Sequence, residues 1–167
     1  PYRFIRKIDE GGYTRDVEIN FDYSQKKALY HDKKKEEKKH FDIEQSIQDL
    51  ISAVSYLRNA SEVSELVLGE SRELTVLFDD DGIFTFRLKY LGKETLKTKF
   101  GNVECLKFRP FVQSGRVFKE EESLSLWVSN DRNKIPIRIQ ADLLVGSIKA
   151  DLEAYNSLKN QFKIILD

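Results

Sequence analysis

The side chains that could do acid–base or metal chemistry are few and scattered in this 167-residue chain. Its two histidines, His31 and His40, flank a lysine-rich run, and their spacing fits no common zinc site. Two runs of three carboxylates, Asp79–Asp81 and Glu120–Glu122, lack the alternating ligands of a calcium loop and the facing partner that a general acid needs. We therefore expect surface histidines, a plain turn at Asp79–Asp81, and no metal or cofactor.

The sequence also contains no recognisable motif for nucleophilic catalysis. There is no nucleophile elbow, phosphate-cradling loop or dinucleotide fingerprint. The single cysteine, Cys105, alternates with Val103 in a strand pattern, which favours a buried, inert thiol over a reactive one. The sequence therefore predicts that the protein is not an enzyme, although a hydrolase triad whose members are distant in sequence leaves no local pattern to find.

Bulky apolar and basic side chains remain as candidates for binding. Lys and Arg together number 28, as do Asp and Glu, so the chain lacks the basic excess that nucleic-acid binding requires. No apolar run approaches the roughly 20 residues of a membrane-spanning helix. The expected partner is therefore a lipid or amphiphile, or another protein. The residues that we predict to line a ligand site are Phe84, Phe86, Leu88, Tyr90, Leu50, Val54, Arg109, Arg116, Trp127 and Arg138.

The apolar residues and the basic residues of this predicted site each have an alternative interpretation. The apolar faces either fill the interior completely, with the helix as a plug, or leave a gap for an acyl chain, and full packing is favoured. The basic residues, with Lys107 and Lys119 among them, either meet an anionic head group or glycan or pair with Glu104 and Glu120–Glu122. Pairing is favoured because the chain is neutral overall.

Alternation of polar and apolar side chains predicts that most of these residues lie on strands. Leu124–Ile139 reads as two short strands around the polar turn Asn130–Asn133, whose residues tolerate positive φ. Gly11-Gly12 predicts a second hairpin, between strands over Pro1–Glu10 and Tyr13–Phe21. Further strands are predicted over Lys27–Asp32, Arg72–Phe78, Ile83–Leu91, Glu94–Phe100, Val103–Val112, Leu144–Leu152 and Phe162–Leu166.

One segment, Ile43–Asn59, has the three- and four-residue apolar spacing of an amphipathic helix. Asp42 supplies an N-cap before it. The charged run Lys33–Lys39 is interpreted as a solvated loop rather than an anchor to an anionic surface, because glutamates interrupt it.

About nine to eleven short strands and one helix predict a single, mainly β domain over residues 1–167. So many strands in a small domain must curl, and we expect a strongly curved antiparallel sheet, a barrel or half-barrel, with the helix packed against it. The chain begins at Pro1 without an initiator methionine, which predicts a trimmed product from which a signal peptide has been removed.

Five sequence blocks carry a resemblance to a known family. They are Tyr90-Leu91-Gly92-Lys93-Glu94, Lys107-Phe108-Arg109-Pro110, Gly115-Arg116-Val117-Phe118-Lys119, Leu126-Trp127-Val128-Ser129-Asn130-Asp131 and Gly146-Ser147-Ile148-Lys149-Ala150-Asp151-Leu152. In this order they resemble an exported bacterial family of unknown function, DUF3108, over most of Leu74–Asn160. The resemblance implies a signal peptide, a periplasmic or cell-envelope location, a mainly β fold with further strands before the position of Pro1, and no assigned activity.

A second, looser similarity is to the lipoprotein-carrier half-barrels. It lies in one hairpin, with Trp127, the turn residues Asn130-Asp131, and Pro136-Ile137-Arg138. The similarity implies a helix against the concave face of a curved sheet, with an apolar cavity between them.

Together these observations predict an exported cell-envelope protein that binds a lipophilic or amphiphilic ligand without catalysis. The alternative is a structural or interaction module that recruits another envelope protein through an open sheet edge and has no ligand cavity.

Overall fold

The computed structural model describes residues 1–59, 67–80, 82–112 and 124–165. These ranges contain ten strands and one helix, which confirms a mainly β chain with the expected number of elements. In chain order the elements are β1 (Arg3–Glu10), β2 (Tyr13–Asp22), β3 (Lys27–Asp32), β4 (Glu37–Asp42), α1 (Leu50–Asn59), β5 (Ser71–Asp79), β6 (Gly82–Thr98), β7 (Gly101–Val112), β8 (Leu124–Ser129), β9 (Pro136–Asp142) and β10 (Ser147–Asp151).

The strands form two antiparallel sheets rather than the one sheet that the strand count suggested. The first has the order β1-β2-β3-β4, and the second has the order β10-β9-β8-β7-β6-β5. Among the described residues neither sheet closes into a barrel, because each has two different end strands. The division falls between β4 and β5, and α1 lies between these two strands in the chain.

The chain also divides into two compact units that interleave in sequence. Unit 1 comprises Pro1–Val54 and Leu74–Thr85, and unit 2 comprises Ser55–Glu73 and Phe86–Asp167. The chain therefore enters both units more than once, and β5, β6 and α1 each contribute residues to both.

Unit 1 contains the predicted Gly11-Gly12 hairpin, which the structure confirms. Both glycines have positive φ, +54° and +87°, as a tight two-residue turn between β1 and β2 requires. Alternate side chains of β2 and β3 then point into a hydrophobic core. Residues that follow β4, together with Leu77 of β5, complete this core. The buried members of this core are Phe4, Val17, Ile19, Phe21, Ala28, Tyr30, Ile43, Ile47 and Leu77.

The helix α1 begins at Leu50 and not at Ile43, so the predicted start was wrong. The cap is Asp49, whose Oδ1 accepts hydrogen bonds from the N–H groups of Ile51 and Ser52, both at 2.8 Å. The preceding residue, Gln48, is engaged in a parallel bridge with Val76. Helical backbone cannot make that bridge, so Ile43–Gln48 follows the sheet although its apolar spacing matches a helix.

The lysine-rich run is only partly the loop that was expected. A turn occupies residues 33–36, with φ +54° at Glu36, but β4 already begins at Glu37 and pairs with β3. β4 is an end strand of its sheet, where lysine side chains point to solvent without cost. His40 on β4 is exposed and His31 on β3 is partly exposed, in line with surface histidines.

Unit 2 differs from the predicted strands at three points. The strands predicted over Ile83–Leu91 and Glu94–Phe100 are the single strand β6, with a register shift between Tyr90 and Gly92. The strand predicted from Leu144 begins at Ser147. The edge strand predicted at Phe162–Leu166 is reduced to one bridge between Asn102 and Ile165, and residues 152–165 form an otherwise irregular C-terminal segment.

Candidate functional site

The predicted ligand-lining residues of unit 2 lie on opposite faces of its sheet. Tyr90 is paired with Phe108, and Phe108 with Leu126, so these side chains share one face, the Tyr90 face. Trp127 follows Leu126 and therefore points to the other side, together with its cross-strand partners Lys107 and Arg138. We call this side the Trp127 face. Phe86 and Leu88 belong to the Tyr90 face, and Arg109 belongs to the Trp127 face.

The other predicted lining residues are not grouped with these. Leu50, Val54 and Phe84 are half-buried residues of unit 1. Arg116 lies outside the described residues, as do Lys119 and Glu120–Glu122. The structure therefore brings together Phe86, Leu88 and Tyr90 on one face, and Arg109, Trp127 and Arg138 on the other.

The Trp127 face carries a charged network around the indole ring. The Trp127 Nε1–H donates to Glu94 Oε2 at 3.1 Å, and the Lys107 ammonium lies 4.8 Å from the ring centroid and 3.1 Å from the same carboxylate. Partial burial opposes ionisation of Glu94, but these two hydrogen bonds hold its pKa below the ordinary value. Arg138 makes a bidentate pair with Asp151, at 2.5 Å and 2.9 Å.

Pairing therefore accounts for Lys107 and Arg138, although not with the carboxylate that was expected. Glu104 lies on the opposite face from Lys107 and accepts a hydrogen bond from the Asn130 side-chain amide. The partners on the Trp127 face are instead Glu94 and Asp151. These could not be chosen from sequence, because their cross-strand positions depend on the register of four strands.

The apolar part of the Trp127 face is covered by the chain itself. Phe162 of the C-terminal segment is buried against Trp127 and Cys105, and its ring lies 4.8 Å from that of Tyr155. Cys105 is buried, as predicted, and burial raises the pKa of its thiol to about 12, which disfavours the reactive thiolate. The side chains that fill this cluster are Leu96, Val103, Cys105, Trp127, Ile135, Ile137 and Phe162, with Phe100, Leu152, Leu158 and Ile164 packed around them.

The β8–β9 turn holds this C-terminal segment in place, a role that the sequence did not indicate. Asn133 is buried, and its amide donates to the carbonyl oxygens of Asn160 and Gln161 while its Oδ1 accepts from the Asn160 N–H at 3.0 Å. Asp131 in turn accepts hydrogen bonds from the N–H groups of Asn133 and Lys134. The predicted hairpin is confirmed, but the positive φ falls on Lys134 (+46°) rather than on Asn130–Asn133.

A buried ion network in unit 1 was also missed. Arg15 is hydrogen-bonded to Asp32 at 3.0 Å and to Asp79 at 2.8 Å, and its guanidinium lies 3.5 Å from Asp80. Burial opposes the charge on Asp79, yet the Asp80 N–H and Arg15 keep its pKa below the ordinary value. Asp79 and Asp80, expected to form a plain turn, are thus ion-pair partners of Arg15. A second arginine, Arg6, lies 2.6 Å from the other oxygen of Asp79. The cluster is structural in character, because an arginine holds each of its three carboxylates.

The least protected feature of the described residues is the hairpin formed by β9 and β10. β10 is the end strand of its sheet, and all five of its residues are exposed. The Leu143 N–H donates to the Gly146 carbonyl, so Leu144 and Val145 form a two-residue apex, and they are 95% and 90% exposed. The positive φ of this turn falls on Gly146 (+81°), so Leu144 and Val145 keep ordinary backbone angles and the turn tolerates side chains of any kind there. Core packing does not explain why both are apolar.

The outer side of β10 also offers free main-chain groups. The Leu152 N–H donates to the Ile137 carbonyl, and main-chain groups of successive strand residues point to alternate sides. The N–H and C=O groups of Ser147, Lys149 and Asp151 therefore point away from β9. No strand in the described ranges pairs with this side.

The ends of the first sheet are better protected. β1 and β4 carry charges at most positions, a composition typical of edges that avoid pairing. In the second sheet, the end strand opposite β10 is β5, and Gln48 occupies its outer side through a bridge to Val76. β10 is thus the edge most suited to accepting a strand, and we take the β9–β10 hairpin as the candidate functional site.

Surface clefts in the described residues are less informative. A cleft of about 450 Å³ lies between the β8–β9 turn and the C-terminal segment, and two others of about 410 Å³ and 280 Å³ lie over the first sheet. Within the described ranges, no three His, Cys, Asp or Glu side chains are grouped closely enough to hold a metal ion. No helix in these ranges has the length and apolarity needed to cross a membrane.

Comparison with known proteins finds a family match. A family model described as a protein of unknown function (DUF3108) matches residues 1–153. The match contains both strands of the β9–β10 hairpin, whereas most of the C-terminal segment lies beyond it. No curated protein and no solved structure matches the chain.

Proposed function

Because the chain belongs to the DUF3108 family, whose function is unknown, we propose a function from its surface: a non-catalytic interaction module that binds an extended strand of a partner protein along β10. The observation that supports this proposal is the combination, on one hairpin, of an unpaired sheet edge and an exposed apolar apex. This is the alternative that the sequence left open beside a ligand-binding protein.

Addition of a strand would use the outward groups of Ser147, Lys149 and Asp151, which supply three donors and three acceptors in one row. Hydrogen bonds between main chains give affinity with little sequence requirement, and neighbouring side chains give specificity. Leu144 and Val145 would supply the apolar contact, since burying such a side chain contributes about 1.5–3 kcal/mol.

Binding of a lipophilic or amphiphilic ligand inside the fold has less support. The two apolar clusters that the structure describes are filled by the chain's own side chains, including those of Ile47 in one and Phe162 in the other. An acyl chain would have to displace them. The ligand remains a prediction, which native mass spectrometry of protein from its host would test through a lipid-sized adduct.

The envelope location that the resemblance implies also remains a prediction. Fractionation of host cells with an antibody against the protein would test it. Recovery in the cytoplasmic fraction alone would contradict it. The absence of catalysis is likewise a prediction, in keeping with charged groups such as Arg15, Glu94 and Arg138 that are engaged in ion pairs.

Photo-crosslinking at the apex tests the proposed function. A benzoylphenylalanine residue in place of Leu144 is expected to give a protein adduct in host cells. That adduct should disappear when Lys149→Pro is added, because proline removes the outward N–H, and edge strands tolerate proline at such positions. Lys149→Thr is the matched control, since it removes the charge but keeps the N–H, and the adduct should persist.

Three results would contradict the proposal. The first is no protein adduct at Leu144, and the second is an adduct that Lys149→Pro leaves unchanged. The third is an adduct of lipid mass alone, which would favour the amphiphile as the ligand.

A further inference from the structure

We infer that the strand that pairs with β10 is β10 of a second copy of this chain, running antiparallel, with Lys149 of each copy opposite Asp151 of the other. This inference rests on the proposed function, since it names the partner of the same edge. The inference adds to the proposed function the two-fold symmetry and the register of the contact.

The direction of the main-chain groups limits the registers that two β10 strands can adopt. Only Ser147, Lys149 and Asp151 present N–H and C=O groups outward, so hydrogen-bonded pairs across a two-fold axis must join members of this set. Pairing Lys149 with its own copy places two like charges opposite each other, which is unfavourable. Pairing Ser147 with Lys149 makes no ion pair.

Registers centred on Ser147 or on Asp151 leave only one hydrogen-bonded residue pair within this set. The remaining register pairs Lys149 with Asp151 and is favoured by charge. It forms this ion pair twice, once on each side of the axis, and places the two copies of Ala150 opposite each other on the axis itself. The small alanine side chains allow close approach there. Asp151 already accepts two hydrogen bonds from Arg138 of its own chain. A carboxylate has further lone pairs, so it can also accept from Lys149 of the second copy.

The same register gives one exposed apolar side chain a partner. Ile148, which is 63% exposed, comes opposite Leu152 of the second copy. Two-fold symmetry repeats this contact on the other side of the axis. Exposed apolar groups of this kind commonly mark interfaces.

Charge reversal tests both the dimer and its register. The wild-type chain is expected to sediment as a dimer in analytical ultracentrifugation. Lys149→Asp places two carboxylates opposite each other at both ends of the contact, and the dimer dissociation constant should rise about tenfold or more. Asp151→Lys should act in the same way by opposing two lysines.

Mixing these two variants tests the pairing of opposite charges. One variant then carries aspartate at both positions of the contact and the other carries lysine at both, so every facing pair in a mixed dimer joins opposite charges. A heterodimer should therefore form more tightly than either variant's homodimer. The double variant K149D/D151K distinguishes the registers: it should recover the homodimer if residue 149 faces residue 151, whereas a register that pairs residue 149 with its own copy would place two aspartates opposite each other. Lys159→Asp, an exposed charge reversal away from β10, is the matched control and should leave the dimer unchanged.

Circular dichroism of each variant establishes that the chain has folded. If Asp151→Lys alone does not fold, because it loses its pair with Arg138, then Arg138→Glu added to Asp151→Lys restores the internal pair with reversed signs.

A wild-type chain that remains monomeric at the highest soluble concentration would overturn the inference. So would a dimer that is indifferent to every charge reversal, or a mixture that forms no heterodimer. The crosslinking experiment separates the proposed function from this inference. Suppose that the adduct at Leu144 depends on the Lys149 N–H but its mass differs from twice that of the chain. Strand addition to a different protein is then supported, and the second copy is not. An adduct of twice the chain mass supports both strand addition and the second copy as the partner.

Discussion

Arg15 and Asp79, which are 64 positions apart in the sequence, are joined by a hydrogen bond of 2.8 Å between Nη2 and Oδ1. The same guanidinium holds Asp32, whose side chain is 1% exposed. One cation thus ties β2 to β3 and to the end of β5 within unit 1. Of these two carboxylates, Asp79 also accepts a hydrogen bond from Arg6 at 2.6 Å, whereas Arg15 is the arginine that the structure places on Asp32.

Replacing Arg15 with methionine is therefore expected to destabilise the protein strongly. The substitution leaves the buried Asp32 without its arginine and leaves Asp79 with Arg6 alone, and the free energy of unfolding should fall by about 3–5 kcal/mol. Urea unfolding followed by circular dichroism measures the change. The control is Arg3→Met, which removes an ion pair to Glu18 from an arginine that is 55% exposed and should cost far less. Equal losses for the two variants would contradict a special role for Arg15.

Stability should also fall in acid through Glu18. Hydrogen bonds from Arg3 and Lys33 lower the pKa of Glu18 from 4.5 to about 2. The folded state therefore binds fewer protons than the unfolded chain, and the stabilisation is present above about pH 4.5 and is lost as the pH falls toward 2. Urea titrations across this window measure the slope. Glu18→Gln should flatten it, and the same substitution at the exposed Glu44 serves as the control.

Local patterns predicted the strands but not the long-range pairs. The hairpin at Gly11-Gly12 and the buried Cys105 follow from neighbouring residues alone, and both are confirmed. The apolar spacing of Ile43 and Ile47 is equally local, yet it was wrong for a helix because Gln48 pairs with Val76 in a distant strand. Periodicity cannot detect a bridge between segments that are far apart in sequence.

The candidate site shows the same limit. Trp127 and Arg138 were predicted as neighbours and lie directly opposite each other. Tyr90 was placed with them, but it points to the other side of the sheet, because the face of a residue on β6 depends on the register of β6, β7 and β8. The apex pair Leu144-Val145 was assigned to the start of the strand predicted over Leu144–Leu152, which begins at Ser147 instead. Its exposure is visible only once β9 and β10 are paired.

The buried turn residue Asn133 should control access to Cys105. Asn133→Ala removes the hydrogen bonds that fix Asn160 and Gln161, so the C-terminal segment should open more often and expose the thiol. The measurement is the rate of labelling by a thiol reagent under native conditions. Wild-type protein is expected to react slowly, because burial holds the pKa of Cys105 at about 12. Arg132→Ala, a neighbouring exposed residue, should leave the rate unchanged.

Gly101 should not tolerate a side chain. Its φ is +123°, and an added Cβ would lie 2.7 Å from Ile164 Cγ2 in the C-terminal segment. Gly101→Ala is expected to lower the free energy of unfolding by about 1–3 kcal/mol, through backbone strain and displacement of that segment. Gly11→Asn is the control, because Gly11 has open space around it and asparagine accepts positive φ. A neutral Gly101→Ala in thermal unfolding would contradict the close contact.

The interleaving of the two units constrains how the chain can be cut or recombined. The polypeptide passes from one unit to the other after Val54, after Glu73 and after Thr85. No single cleavage point separates the units, and a fragment that stops at Val54 lacks the segment with Asp79 that neutralises Arg15. One recombination event therefore cannot exchange either unit as a continuous module. During synthesis, the core of unit 1 can be complete only after Thr85, the last residue of that unit, has left the ribosome.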